Sequence, residues 1–284
     1  MSFSAHPDPV AAEAPIGIFD SGVGALSVLR HIQARLPSEH LLCFSDSAYA
    51  PYGRKSDAEI IERTLAIADF LVMQKVKAVV VACNTATAAA IEALRQQYPD
   101  LIVVGVEPGL KPAAVFSKSG KAGVLATAST LASHRFIAMR DQIAQTTGVT
   151  FLTQACVGLV DQIEKGELSS PETALMLERY VTPLLRDGAD TLALGCTHYP
   201  FVQPLIEAIA QRESKVPVTI IDTGEAVSRQ LERLLLQRGL QRFENMPGSL
   251  AAFTTGSQSS LENAFANLLK LHPTVTAVKA EPAT

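Results

Sequence analysis

Leu194-Gly195-Cys196-Thr197-His198-Tyr199-Pro200 follows directly on the short apolar run Asp190-Thr191-Leu192-Ala193-Leu194. Brief, apolar and preceded by turn residues, the run has the pattern of a strand buried in a parallel sheet. It delivers a thiol, a hydroxyl and an imidazole to the strand's carboxyl end, the edge where ligands sit in open α/β sheets. Upstream, Lys77-Ala78-Val79-Val80-Val81-Ala82 runs into Cys83-Asn84-Thr85 in the same way. Two strands, each ending in a cysteine and small polar residues, predict an α/β protein with its chemistry at strand ends.

The surrounding chain repeats this plan. Ile16–Phe19 reads as a strand ending in Asp20-Ser21-Gly22-Val23-Gly24, and Leu26, Leu29, Ile32 and Leu36 give the next segment helical spacing. The glycine turn lacks both GxGxxG and GxxxxGK[ST], so it is a weak phosphate loop. Cys43, inside the strand Leu41–Phe44, reads as a small buried apolar residue. The loop from Asp46 to Asp57 carries two tyrosines and Pro51-Tyr52-Gly53, more aromatic surface than a plain loop requires, which makes it a candidate site lining. A helix over 58–74, the Cys83 strand, a helix over 86–97 and a strand over 101–106 complete a first half, ending in Glu107-Pro108-Gly109.

From Ala122 the layout restarts: a strand ending in Thr127-Ala128-Ser129-Thr130, a helix to about 144, a strand over 149–153 and helices over 157–164 and 171–186. The Cys196 strand, a helix over 201–211 and a strand over 216–221 ending in Asp222 follow. A helix over 227–238, a strand over 250–254 and a helix over 261–271 close the pattern, and 272–284 reads as a tail. The pairs Asp20/Thr127, Cys83/Cys196 and Glu107/Asp222 lie 107, 113 and 115 residues apart. The chain is therefore read as two similar, mostly parallel α/β halves facing each other, with a strand-end cysteine on each side of one cleft.

Composition narrows the function class. With 48% apolar and 18% charged residues the chain of 284 residues is an ordinary globular protein, not a disordered one. A net charge of -4 and a pI near 5.9 give no electrostatic case for nucleic acid. No apolar run reaches the ~18 residues of a membrane span. Met1–Pro15 lacks the basic start and apolar core of a signal peptide, so a cytoplasmic location is expected. The four cysteines form no CxxC pair, so free thiols are expected.

A thiol at a strand-to-helix junction sits near the positive end of a helix, which favours thiolate and lowers its pKa from about 8.5. Two such thiols from opposed halves suit one base and one acid acting on opposite faces of a single carbon: proton transfer with inversion. Asp20 is a candidate partner for Cys83, and His198 for Cys196. Two other readings compete. Strand-end cysteines often serve only packing, and Cys83, Cys196 and His198 would supply three zinc ligands, although no fourth stands out.

The motifs Ile18-Phe19-Asp20-Ser21-Gly22-Val23-Gly24, Asp46 with Pro51-Tyr52-Gly53, Ala82-Cys83-Asn84-Thr85 and Val106-Glu107-Pro108-Gly109 stand in a characteristic order. With Thr127 and Thr130, Ile163-Glu164-Lys165-Gly166 and Gly195-Cys196-Thr197-His198-Tyr199-Pro200, they resemble the Asp/Glu racemase superfamily, and within it the cofactor-independent glutamate racemases. The likeness spans roughly 16–269. It implies Cys83 as the base toward D-glutamate and Cys196 as the base toward L-glutamate, with Asp20 assisting the first, and His198 and Glu164 the second. From the residues alone, Glu164 reads as a solvated charge. The resemblance further implies that Ser21, Tyr52 and Gly53 hold the side-chain carboxylate, and that Asn84, Thr85, Thr127 and Thr197 hold the α-carboxylate and amino group. Asp46, Pro51 and Thr130 belong to the same implied substrate site.

The implied organisation is a tail over 1–15, a first domain over 16–107 and 222–270, a second inserted over 108–221, and a tail over 271–284. No cofactor or metal, a homodimer, and a role in supplying D-glutamate for peptidoglycan are implied as well. Rival readings are a racemase for aspartate or another acidic amino acid, and a non-catalytic binding protein on the same fold.

Overall fold

A computed structural model describes residues 11–243 and 246–280. Residues 1–10 of the expected N-terminal tail and 281–284 of the C-terminal one lie outside the described residues. Two parallel sheets carry the architecture. The first contains β1 (Ile16–Asp20), β2 (Leu41–Ser45), β3 (Ala78–Val81), β4 (Ile102–Gly105), β9 (Leu250–Thr254) and β10 (Thr274–Ala277), in the order β10-β9-β2-β1-β3-β4. The second contains β5 (Lys121–Ala126), β6 (Thr150–Ala155), β7 (Thr191–Leu194) and β8 (Thr219–Ile221), in the order β6-β5-β7-β8. Every pairing is parallel.

The two sheets share one plan, since β2-β1-β3-β4 and β6-β5-β7-β8 are the same order of first, second, third and fourth strand. In each, the chain leaves the first strand to one side and returns to its other side with the third. That reversal opens a crevice at the carboxyl ends of the first and third strands. Asp20 and Cys83 flank the crevice of one sheet, Thr127 and Cys196 that of the other. After β8 the chain goes back to the first sheet through α10 (Gly224–Gln237) and adds β9 beside β2. The second α/β unit is thus an insertion in the first.

Helices cover the sheets because parallel strands buried on both faces need apolar layers on each side. Helix α1 (Ala25–Arg35) packs Leu26, Leu29 and Ile32 against the first sheet, all three fully buried. It also lies along α10. Helix α2 (Asp57–Met73) starts in a capping box, with Ser56 Oγ accepting from Glu59 N and Glu59 accepting from Ser56 N. Helix α3 (Asn84–Gln97) follows β3, α5 (Ala128–Ala132) follows β5, and α7 (Leu159–Glu164) and α8 (Pro171–Arg186) join β6 to β7. No helix among the described residues is long and apolar enough to cross a membrane.

Three expectations need correction. Residues 271–284 are not simply a tail, because Thr274–Ala277 form β10 on the edge of the first sheet. Part of the N-terminal tail also belongs to the fold: Lys77 N donates to Pro15 O at 2.8 Å, and the buried Lys77 ammonium donates to Ala12 O. Finally, α4 (Leu110–Phe116) was not expected from the sequence, and the helix expected to run to about 144 is two, α5 and α6 (His134–Thr147). The first is a seven-residue helix containing Pro112 and exposing Val115 and Phe116, so it lacks a legible apolar stripe.

Candidate active site

The carboxyl ends of β1, β3, β5 and β7 converge on a cleft of about 250 Å³. Both thiols, Cys83 and Cys196, line it. So do Asp20, Ser21, Pro51, Tyr52, Gly53, Asn84, Thr85, Thr127, Thr197 and His198. Three expected site residues stand behind the lining instead: Asp46, Thr130 and Glu164. A wider groove of about 990 Å³ between β4, α4 and α10 contains His31, Arg135 and Asp222 but neither thiol.

Cys83 is the N-cap of α3, its sulfur accepting from Ala86 N at 3.5 Å. Across the crevice its Sγ stands 3.9 Å from Ser21 Oγ, beside the Asp20 carboxylate. Asp20 is fully buried and accepts from Ser21 N at 2.6 Å and from Thr197 Oγ1 at 3.1 Å. The second bond joins the two sheets' loops beneath the cleft.

Cys196 Sγ lies 3.8 Å from His198 Nδ1, and His198 Nε2 lies 2.6 Å from Glu164 Oε1. The same Glu164 oxygen accepts from Val23 N at 2.8 Å, so the carboxylate reaches from α7 to the glycine loop after β1. Ser27 Oγ of α1 donates to Thr197 O at 2.7 Å and pins the Cys196 loop to the other unit.

These surroundings set the protonation states. Burial and the Asp20 charge push the Cys83 thiol well above its ordinary value, outweighing the Ala86 N–H. The expected thiolate-favouring helix end is therefore overruled by desolvation, and resting Cys83 is a thiol. Burial likewise raises Asp20, more than His198 lowers it. For His198, burial opposes the charge, but hydrogen bonds to Cys196 and Glu164 with the Asp20 and Glu164 charges hold it well above 6.5. Glu164 itself is raised by burial yet ends below its ordinary value through the His198 bond and charge. The resting site thus has a neutral thiol on one side and a sulfur facing an imidazolium on the other. Cys43, pushed up to about 12 by burial and by Asp20, stays a structural thiol.

The glycine turn after β1, a weak phosphate loop by sequence, has a steric task. A Cβ on Gly22 would meet Glu164 Oε1 at 1.8 Å, and one on Gly24 would meet Asp20 Oδ2 at 2.1 Å and His198 Nδ1 at 2.6 Å. Only glycine lets the loop reach the carboxylates and imidazole of the site. Gly24→Ala is expected to cost about 1–3 kcal/mol by overpacking, seen as a lower urea midpoint at unchanged slope.

Thr85, Thr127 and Thr130 form a triangle of hydroxyls, with Oγ1–Oγ1 separations of 3.1, 3.3 and 2.9 Å. Thr85 lies in the first turn of α3, Thr127 caps α5 and Thr130 lies within α5, so the triangle joins the two units at the cleft. Thr130 reaches the cleft only through the other two. Asn84 is buried beside them, and neither its Oδ1 nor its Nδ2 has a partner. A buried amide without a protein partner, facing a cleft at the first turn of a 14-residue helix, can donate from its Nδ2 to an anion's oxygens, while its Oδ1 can accept from a cationic group.

The Pro51–Gly53 stretch lies on a short 3-10 turn, Tyr52–Arg54, whose Arg54 pairs with Asp161 of α7 at 2.5 Å. Both residues line the cleft, and the pair ties its two walls together. Arg54, Asp161 and Cys156 were not legible as site residues. Cys156 does follow β6 as Asp46 follows β2, and that repeat position is the one signal available for it.

A parallel α/β duplication with a cysteine at each switch point and no nucleotide loop is the layout of an isomerase that moves one proton. Residues 22–231 match the Asp/Glu/Hydantoin racemase family, to which the chain belongs. A Pseudomonas aeruginosa protein named glutamate racemase is 54% identical over 227 residues, 80% of this chain and 83% of that protein. Among solved structures, a Bacillus anthracis glutamate racemase isoform superposes with a TM-score of 0.84 at 32% identity, covering 94% of this chain and 98% of the other. A Francisella tularensis glutamate racemase in complex with D-glutamate gives 0.82 at 27% identity, covering 95% and 98%.

Proposed function

We propose that the protein interconverts L- and D-glutamate by proton transfer between two thiols and the α-carbon. The observation that carries this reading is the presence of Cys83 and Cys196, one from each sheet, on one cleft of about 250 Å³. From L-glutamate, Cys196 thiolate, paired with the His198 imidazolium, removes the α-proton, leaving electron density on the α-carbon and carboxylate. The Cys83 thiol gives its proton to the opposite face, yielding D-glutamate, a Cys196 thiol and a Cys83 thiolate. Once the product has left, proton exchange with solvent, assisted by Asp20 and His198, restores the Cys83 thiol and the Cys196 thiolate. In the reverse direction the two sulfurs exchange roles.

The α-carboxylate fits the first turn of α3, where the Asn84 amide, the Thr85 hydroxyl and free backbone N–H groups supply donors for the charge that builds up there. Thr127 and Thr197 complete that end. Ser21, Tyr52 and Gly53 hold the side-chain carboxylate. Asp20, Glu164 and Thr130 act through the residues they bond. Division into 16–107 with 222–270 and an inserted 108–221 agrees with the sheet membership, with the first unit extending through β10. The reading extends to a homodimer in the cytoplasm whose product feeds peptidoglycan synthesis.

The test is the circular dichroism of L-glutamate incubated with EDTA-treated protein and no added cofactor. The signal is expected to decay to zero; a constant signal with glutamate and decay with aspartate would transfer the reading to the shorter substrate.

A further inference from the structure

Asp46 was expected at the substrate and is instead fully buried behind it. Its Oδ2 accepts from Tyr52 Oη at 2.6 Å and from Arg63 Nε at 3.0 Å. Its Oδ1 accepts from Arg63 Nη2 at 2.8 Å and from Thr255 Oγ1 at 2.9 Å. The remaining Arg63 nitrogen, Nη1, donates to Ala280 O at 2.6 Å, beyond β10. Tyr49 stacks on the guanidinium 3.7 Å from the ring centre. Arg63 therefore spends its planar fork on Asp46 and its third donor on the C-terminal segment, a division lysine cannot reproduce.

Of these groups only Tyr52 reaches the cleft, where its neighbours Pro51, Gly53 and Arg54 also line the wall. The loop between β2 and α2 has no sheet partner of its own; Ser47 and Ala48 fasten its start to Thr254 and Thr255, Arg54 fastens its far side to Asp161, and at Tyr52 itself the side-chain anchor is this chain of bonds. We infer that Arg63 is a positioning residue for the substrate's distal end, holding the Tyr52-Gly53 wall through Asp46 and tying it to the C-terminal segment at Ala280. The inference rests on the reading that this wall receives the side-chain carboxylate. Both proton-transfer thiols stand on other strands, so loosening the wall weakens substrate binding more than it slows proton transfer. It also relaxes the choice of side-chain length, because a mobile wall no longer measures the distance from the α-carbon.

Three variants test this beside the wild type: Arg63→Lys, Asp46→Asn, which keeps the shape and breaks the charged fork behind the wall, and a chain ended after Val278. Each is expected to raise KM for glutamate by about tenfold with kcat within about threefold, and to narrow the preference for glutamate over aspartate. Variants with native circular dichroism whose KM is unchanged, or whose kcat alone falls, would overturn the inference. If the Arg63 variant does not fold, Asp46→Asn and the shortened chain decide by the same criterion. A wild type inactive on glutamate would instead refute the assignment of function, a separate outcome.

Discussion

Cys83→Ser and Cys196→Ser are each expected to lower racemisation by about 10²–10⁴-fold while leaving the thermal midpoint within a few degrees. A serine hydroxyl fills the thiol's place but is a far poorer proton donor and acceptor near neutrality. The two variants should not be equivalent. With Cys83 intact, Cys196→Ser keeps a base on the face that D-glutamate presents, so its residual α-proton exchange with solvent favours the D-isomer. Cys83→Ser should exchange the L-isomer. Proton NMR in heavy water reads both. Full racemisation in either variant would remove that sulfur from the mechanism.

Glu164→Gln is the second large effect. The side chain bonds His198 Nε2 at 2.6 Å and Val23 N at 2.8 Å, with His198 almost wholly buried. Neutralising one member of such a pair leaves the imidazolium with Asp20, 3.9 Å away, as its one remaining close carboxylate among the described residues, at about 3 kcal/mol. The sign of the pH dependence follows from the two directions of shift. His198 is raised above 6.5 in the fold, so its contribution is complete below that value and is lost as pH rises through the raised one. Glu164 is lowered from 4.5, so its contribution is present above that value and is lost as pH falls through the lowered one. The gap between wild type and variant, from urea unfolding at several pH values, should be widest between the two ordinary values, 4.5 and 6.5, and narrow on both sides. The alkaline limb of the L-to-D rate should also move to lower pH, because the variant's imidazolium loses its proton sooner.

Much of this was legible in the chain because strand-end chemistry is local. Apolar runs ending in Cys83 and Cys196 announced both the sheets and the thiols, and their matching offsets announced the duplication. What was not legible depends on contacts distant in sequence. Arg63 reads as one charge on an amphipathic helix until Asp46 and Ala280 are brought to it. Glu164 reads as solvated until α7 folds over the glycine loop. The short strand β10 has two threonines and little apolar signal, and only its pairing with β9 defines it. The thiolate expected at the start of α3 failed for a physical reason: the helix end was visible in sequence, but the burial and the Asp20 charge that outweigh it were not.

The central claim, two sulfurs on opposite faces of one carbon, is tested most directly by racemising L-glutamate in heavy water and following label at early times. Two bases predict deuterium in essentially every D-glutamate formed, delivered from the exchanged Cys83 thiol, while the remaining L-glutamate stays unlabelled. Protium carried from L-glutamate into the D product, or label entering both isomers at equal initial rates, would mean a single base serving both faces and would contradict the account.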